Sequence, residues 1–331
     1  MENHNISVVK AALVCSLAAM SATGVSAQET GSFLRNPSDA RALSLAGTGV
    51  VSADDFSVLD NAALSPFSLE RISAGVTMMP WMPKMDGGLS SYSASVRYGS
   101  RKAGTFYAGT RTAKSSPFEL ADDEGNILGD SSSPLYLAVE AGWAYPFLKD
   151  FSVSAAVRYL RLAPGYGDAA DAVSFDAGFG YRHEFESAGP LSNVSAIVQM
   201  KDFGTSPDYG YGKRSLPWIV NAGVSAGLEA GEKHLFRVGA SLDIPAAPRL
   251  SSGIDPVRGA EASFGAEYSF SRMIYLRGGY HFGDKASGGL RWGAAGIGVH
   301  VWKIAIDAGF VLAPVSSPLR GTYSCTISCR I

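Results

Sequence analysis

From residue 71 to the end of the chain, apolar and polar residues alternate with a period of two, and no other feature restricts the fold as strongly. In "SYSASVRY", Tyr92, Ala94, Val96 and Tyr98 oppose Ser91, Ser93, Ser95 and Arg97. In "VSFDAGFGYR", Val173, Phe175, Ala177, Phe179 and Tyr181 oppose Ser174, Asp176, Gly178, Gly180 and Arg182. In "AEASFGAEYSF", Ala260, Ala262, Phe264, Ala266, Tyr268 and Phe270 oppose Glu261, Ser263, Gly265, Glu267 and Ser269. Successive side chains of a strand point to opposite faces, so each segment is apolar on one side and polar on the other. The same reading yields about fourteen strands of about ten residues, the length that crosses a bilayer when tilted. They start near residues 71, 89, 104, 133, 151, 172, 193, 216, 233, 259, 273, 289, 301 and 321.

The connections alternate in length as well. Long ones such as "AKSSPFELADDEGNILGDSSSP" and "PAAPRLSSGIDPVRG" are interleaved with short ones such as "GSRK", "PFLKD" and "EAGEK". Short turns at one end and longer loops at the other are the habit of outer-membrane barrels, and an even strand number places both termini on the periplasmic side. The fold class expected is all-β, a transmembrane antiparallel β-barrel of about 14 strands with a small helical N-terminal hatch in the lumen. Composition agrees: charged residues are 18% of the chain, and 38 glycines and 14 tyrosines suit strands and turns. No later stretch reaches the roughly 18 apolar residues of a spanning helix, so strands must do the crossing. A soluble β-sandwich would bury more of the polar faces. Trp81, Trp143, Trp218, Trp292 and Trp302 each fall near a strand end, the placement of aromatic girdles.

Three regions follow. Residues 1–27 read as a secretory signal, with a polar start ending at Lys10, the apolar run "AALVCSLAAM" and small residues before Gln28. Residues 28–70 form the hatch or plug, and 71–331 the barrel. Facing inward, the polar register carries Arg97, Glu140, Arg158, Asp176, Arg237, Asp243, Glu261, Glu267, Arg277, Asp307 and Arg330. Both signs are mixed, which suits a lumen filled by ion pairs and by the N-terminal segment rather than a selective ion pore. In that segment Asn36 and Pro37 suit an N-cap and first helical position, with "SDARALSLA" forming about two turns before Gly47 and Gly49. Asn61 starts a second, single turn ended by Pro66. Burial of Leu43, Leu45, Val50 and Phe56 requires a cavity, and Arg41, Asp54 and Asp55 can pair with lumen charges. Arg41 in particular needs a carboxylate, drawn from Glu140, Asp176, Glu261, Glu267 or Asp307.

Over residues 33–64, "FL..P.DARAL.LAGTGV..ADD.SVLDNAAL" resembles the start of the PorV and PorQ family of the Bacteroidota, relatives of the FadL fatty-acid channel. Phe33, Leu34, Pro37, Ala40, Arg41, Asp54, Asp55 and Asn61 carry the likeness, and Ala62 stands where the family has a proline. The resemblance implies a fourteen-stranded barrel and a role in type IX secretion, either shuttling cargo or anchoring a surface partner. Its partners would be outer-membrane lipid and secretion-system or surface-attachment proteins, met through loops 113–134, 204–215 and 245–259. The family's final aromatic residue is replaced by Ile331, although the alternation Tyr323, Cys325, Ile327, Cys329, Ile331 is kept. The second reading is a FadL-like channel that takes up a hydrophobic ligand, with the hatch lining its pocket.

Other functions lack a signal. A net charge of −2 gives no polyanion-binding signature, which argues against nucleic acid. His183, His234, His281 and His300 fall in different strands without metal-ligand spacing, and "GTGVVS" lacks the strand-turn-helix setting of a dinucleotide site. No serine, histidine and acid trio stands out, so no enzyme, cofactor or metal is expected. Cys325 and Cys329 lie about 13 Å apart along one strand face, too far for a disulfide.

Overall fold

The computed structural model describes residues 30–331 apart from 52–56, 85–87, 101, 122–126, 166–167, 186–188, 211, 247–258 and 285–288. The alternation becomes β1 (Ile72–Trp81), β2 (Leu89–Ser100) and β3 (Gly104–Ser115), then a small hairpin of β4 (Phe118–Ala121) and β5 (Ile127–Ser132). The chain continues through β6 (Leu135–Leu148), β7 (Phe151–Ala163), β8 (Ala170–Glu184), β9 (Leu191–Gly204), β10 (Ile219–Ala230) and β11 (His234–Pro245). It ends with β12 (Glu261–Phe270), β13 (Ile274–Phe282), β14 (Arg291–Val301), β15 (Ile304–Leu312) and β16 (Tyr323–Arg330). Leaving out the β4–β5 hairpin, fourteen strands close into one antiparallel barrel in which β1 pairs with β16. Closure leaves the barrel sheet without an edge, the condition for crossing a bilayer with strands.

The two faces separate as the alternation requires. Val96, Phe175, Val224, Phe264 and Ile297 point outward and are exposed, whereas their neighbours Arg97, Ser174, Ser263 and Glu267 are buried inside. Cys325 and Cys329 are free and lie on the outward face. The aromatic girdle is smaller than the sequence suggests. Trp143 and Trp302 are exposed, but Trp81 and Trp292 point into the lumen, where their rings meet edge to face at 6.3 Å. Both sit in the polar register of their strands, and they become buried because Leu43 and Met79 supply an apolar cluster there.

The described residues between 30 and 70 pass along the lumen. Thr30 bonds to Ser215 and Tyr209 in the β9–β10 connection at the long-loop end, and Arg71 and Ile72 pair with Ile331 at the short-turn end. The first strand thus starts, and the last one ends, at the short-turn end, while residue 30 lies at the other. One short helix, α1 (Ala40–Ser44), packs on β13 to β16. Its cap is Asp39, whose carboxylate accepts from Ala42 N at 2.7 Å, and not Asn36 as the sequence suggests. Asn36 is held extended by the proline that follows it, and the helix is one turn shorter than expected. At Gly47, φ of +95° lets the chain turn back and its N–H close on Ala42 O. The wall is shaped to match: a Cβ on Gly279 would lie 2.5 Å from the Leu45 carbonyl carbon, and one on Gly309 2.7 Å from Ala40 O.

Candidate functional site

Three arginines hold the N-terminal segment. Arg41, on α1, donates through Nε to Glu267 Oε2 at 2.8 Å and through Nη2 to Oε1 at 3.2 Å. Glu267 lies on β12, and it also accepts from Arg277 Nε at 2.7 Å and Arg237 Nη1 at 3.0 Å. Arg277 continues to Asp307, and His300 Nε2 lies 3.1 Å from Asp307 Oδ2. Arg330 Nη2 lies 2.7 Å from His300 Nδ1, so the imidazole bridges Arg330 and Asp307. One carboxylate thereby joins three guanidinia in a continuous buried chain.

The second arginine, Arg111 on β3, gathers separate stretches of the segment. It donates to Leu34 O, to Asn36 O, to Leu59 O and to Asp60 Oδ1, the last at 2.8 Å. Asp60 also accepts from Ser38 N and Ser38 Oγ, while its carbonyl receives Gln199 Nε2 and Lys201 Nζ. The third, Arg97 on β2, is 1% exposed and donates to Ser65 O, Glu70 O and the Ser68 and Ser73 hydroxyls, fixing the segment where it enters β1. Asn61 caps the turn that follows it, its Oδ1 accepting from Ala63 N at 3.0 Å. Asp54 and Asp55 lie outside the described residues.

Burial by itself would push the Asp60 carboxyl up, but the Arg111 guanidinium and the Lys201 ammonium outweigh it and hold the group below its ordinary value of 3.8. A carboxyl more acidic in the folded than in the unfolded chain stabilises the fold above its unfolded value, and that stabilisation is lost as pH falls through the lowered folded value. The segment is therefore expected to loosen only below about pH 4. Protease cleavage within residues 30–70, followed with an acid-active protease below about pH 5 and a neutral protease at about pH 7, checks this; Asp60→Asn should flatten the acid transition and raise cleavage by the neutral protease.

On the far wall, Arg158 of β7 is surrounded by Glu140, Asp176 and Asp202, with its Nε 2.7 Å from Glu140 Oε2. Asp202 reaches this cluster through a bulge between β8 and β9, at a φ of +63°. Glu261 and Asp243 face each other across β11 and β12, away from both arginine clusters. Of the predicted lumen charges, Glu267, Arg277 and Asp307 thus meet Arg41, Glu140 and Asp176 meet Arg158, and Arg97 meets backbone. Sequence reading missed Asp60, Arg111 and Asp202.

A cavity of about 410 Å³ lies beside residues 32–37, in the half of the lumen nearer the long loops. Trp81, Trp292, Leu89 and Leu290 form its apolar rim, and Gln199, Asn221, Asp243 and Glu261 its polar wall. A second space of about 740 Å³ opens at the short-turn end beside Arg97, Arg71 and Lys102. The two share no residue, and the N-terminal segment lies between them.

No model of a protein family matches the sequence, and no curated protein matches it. Solved structures do match the fold. The toluene transporter TbuX of Ralstonia pickettii superposes with a TM-score of 0.56 at 13% identity, covering 90% of this chain and 100% of that one. The toluene transporter TodX of Pseudomonas putida gives 0.53 at 11%, covering 89% and 99%. A FadL homologue of Pseudomonas aeruginosa gives 0.50 at 10%, covering 88% and 98%. The chain thus shares the fold of the FadL-like barrels, a closed antiparallel barrel of fourteen strands.

Proposed function

We propose that this protein is an outer-membrane channel for the uptake of small hydrophobic molecules, with residues 30–70 as the hatch that separates the loop-side cavity from the short-turn end. The observation that carries the reading is the loop-side cavity, whose volume of about 410 Å³ falls in the range of small-molecule sites and whose rim is apolar. The structural relatives are consistent with it, since TbuX and TodX are toluene transporters. The secretion or surface-anchoring role has the likeness of residues 33–64 behind it and no structural observation, so the channel is the better-supported function. Nothing in the reading calls for catalysis.

Binding and entry of a small aromatic test it. In lipid nanodiscs the barrel should bind 2-phenylethanol above the level of empty discs, and a host strain expressing it should accumulate the labelled compound several-fold faster than one without it. Equal uptake and no binding would sink the channel reading. Capture of a secreted protein by the intact barrel from native membranes would then favour anchoring.

A further inference from the structure

We infer that the space of about 740 Å³ at the short-turn end holds the headgroup of an anionic phospholipid, whose acyl chains run along the outside of β1 to β3. This requires the barrel to lie in a bilayer, but not to pass a hydrophobic ligand. The space opens between the end of the N-terminal segment, the start of β1 and the β2–β3 turn, and its volume falls in the range of about 300–1,000 Å³ of small-ligand sites. Arg71, Arg97 and Lys102 line it, with Glu70 as the acid among the described lining residues. Arg97 already donates to Ser65 O, Glu70 O and two hydroxyls, so it contributes charge rather than a free N–H. Arg71 and Lys102 are exposed, and among the described residues neither meets a carboxylate. Arg71 Nη2 donates to the neutral Tyr98 hydroxyl at 3.1 Å, and its guanidinium lies 5.5 Å from the centre of that ring. Ile331, whose carbonyl takes the Arg71 and Ile72 N–H groups, adds at most one negative charge, and the site stays positive.

Tyr98 belongs to two surfaces at once. It lines the space, yet it sits in the outward register of β2, 40% exposed, between Ile72 of β1 and Phe106 of β3. Phe106 in turn pairs with Trp143 of β6, so an exposed and mostly aromatic row leads from the space onto the lipid-facing wall. A soluble anion would use only Arg71 and Lys102. A phospholipid sets its phosphate between those cations and lays its glycerol and first chain carbons on the row, the level at which aromatic girdles meet lipid. A zwitterionic headgroup brings its own ammonium, which the same cations repel. Elsewhere on this rim acids accompany the cations: Lys149 neighbours Asp150, Arg182 pairs with Glu184 at 3.0 Å and Arg272 with Glu229 at 3.4 Å. The excess positive charge is therefore local to the β1–β3 side.

Competition between two lipids tests the site. The intact barrel, stripped of lipid in a non-ionic detergent, is mixed with equal amounts of phosphatidylglycerol and phosphatidylcholine of identical chains, and the lipid it retains is identified by native mass spectrometry. Phosphatidylglycerol should be kept in preference by about tenfold or more, the advantage of two cations near an anionic headgroup. The Arg71→Gln, Lys102→Gln double variant should lose that preference while still migrating as a heat-modifiable, folded barrel, and each single variant should lose part of it. A Lys149→Gln, Lys233→Gln double variant, altered on the same rim outside the space, should keep it. Equal retention of the two lipids by the native protein overturns the site, as does a preference that survives in the first double variant or falls equally in both. If inorganic phosphate at millimolar concentration displaces the retained lipid, a free anion fills the space and the lipid assignment fails. Uptake of 2-phenylethanol is independent of all these outcomes, so the channel and the lipid site can fail separately.

Discussion

Glu267→Ala is expected to destabilise the barrel by about 3–5 kcal/mol, because it leaves buried guanidinia without their counter-charge. Glu267 is 3% exposed and accepts from Arg41, Arg237 and Arg277. Without it Arg277 keeps Asp307, but Arg41 loses the carboxylate that fixes α1 to the wall. Arg41→Ala should cost less, since Glu267 then keeps two arginines and is not stranded. An isolated pair would show the opposite symmetry, each partner costing about as much as the other. Urea-dependent folding into lipid vesicles orders the two variants, and Glu267→Gln should fall between them because it keeps the shape and loses the charge. If Arg41→Ala proves as damaging as Glu267→Ala, the network is a simple pair with bystanders and its shared-acceptor character is wrong.

That network shows which parts of the structure a sequence can reveal. Period-two alternation has one physical cause, a sheet with lipid on one side and a polar lumen on the other, so it marks strands and inward residues together. Every predicted strand start lies within three residues of the one observed, the largest offsets being Ile219 and Ile304. Glu267 and Arg277 fall in register on adjoining strands, and Arg277 reaches Asp307 across β14 where Gly298 leaves room. Arg111 was hidden because "GTFYAGTRTAKS" mixes threonine, tyrosine and glycine, which suit either face. Asp202 was hidden for a different reason, since a bulge adds a residue to β9 and reverses the register beyond it. Asp60 sits outside any periodic stretch, and its role arises only when Arg111 is brought to it across the lumen. The inward tryptophans were misread because their sequence position, near strand ends, is the same for a lipid girdle and for a lumen rim. Gly265, Gly279, Gly296 and Gly309 all lie in the inward register, against Leu45, Thr48, Ser44 and Ala40, so a strip of wall without side chains was the visible sign of where the segment docks.

The second large effect concerns that docking. Arg111→Ala should release the N-terminal segment at two of its turns, since the guanidinium holds Leu34 O, Asn36 O, Leu59 O and the Asp60 carboxylate at once. Asp60 would keep Ser38 but lose its charged partner, at a cost of about 3–5 kcal/mol for a buried pair broken on one side. Gly279→Leu attacks the segment at a different point, because a side chain there meets the backbone of Leu45. With the segment displaced, the loop-side cavity and the space beside Arg97 would join into one water-filled path, so single-channel conductance in planar bilayers should rise from near-closed to porin-like, most of all when residues 32–67 are deleted. Sensitivity of expressing cells to bulky antibiotics should rise in the same order. Stability and conductance must move together, for a segment that only lies in the lumen could be lost without opening it. If the deletion and both substitutions leave conductance unchanged, water does not follow the route through the segment, and its arginine contacts serve to hold the barrel wall rather than to close it.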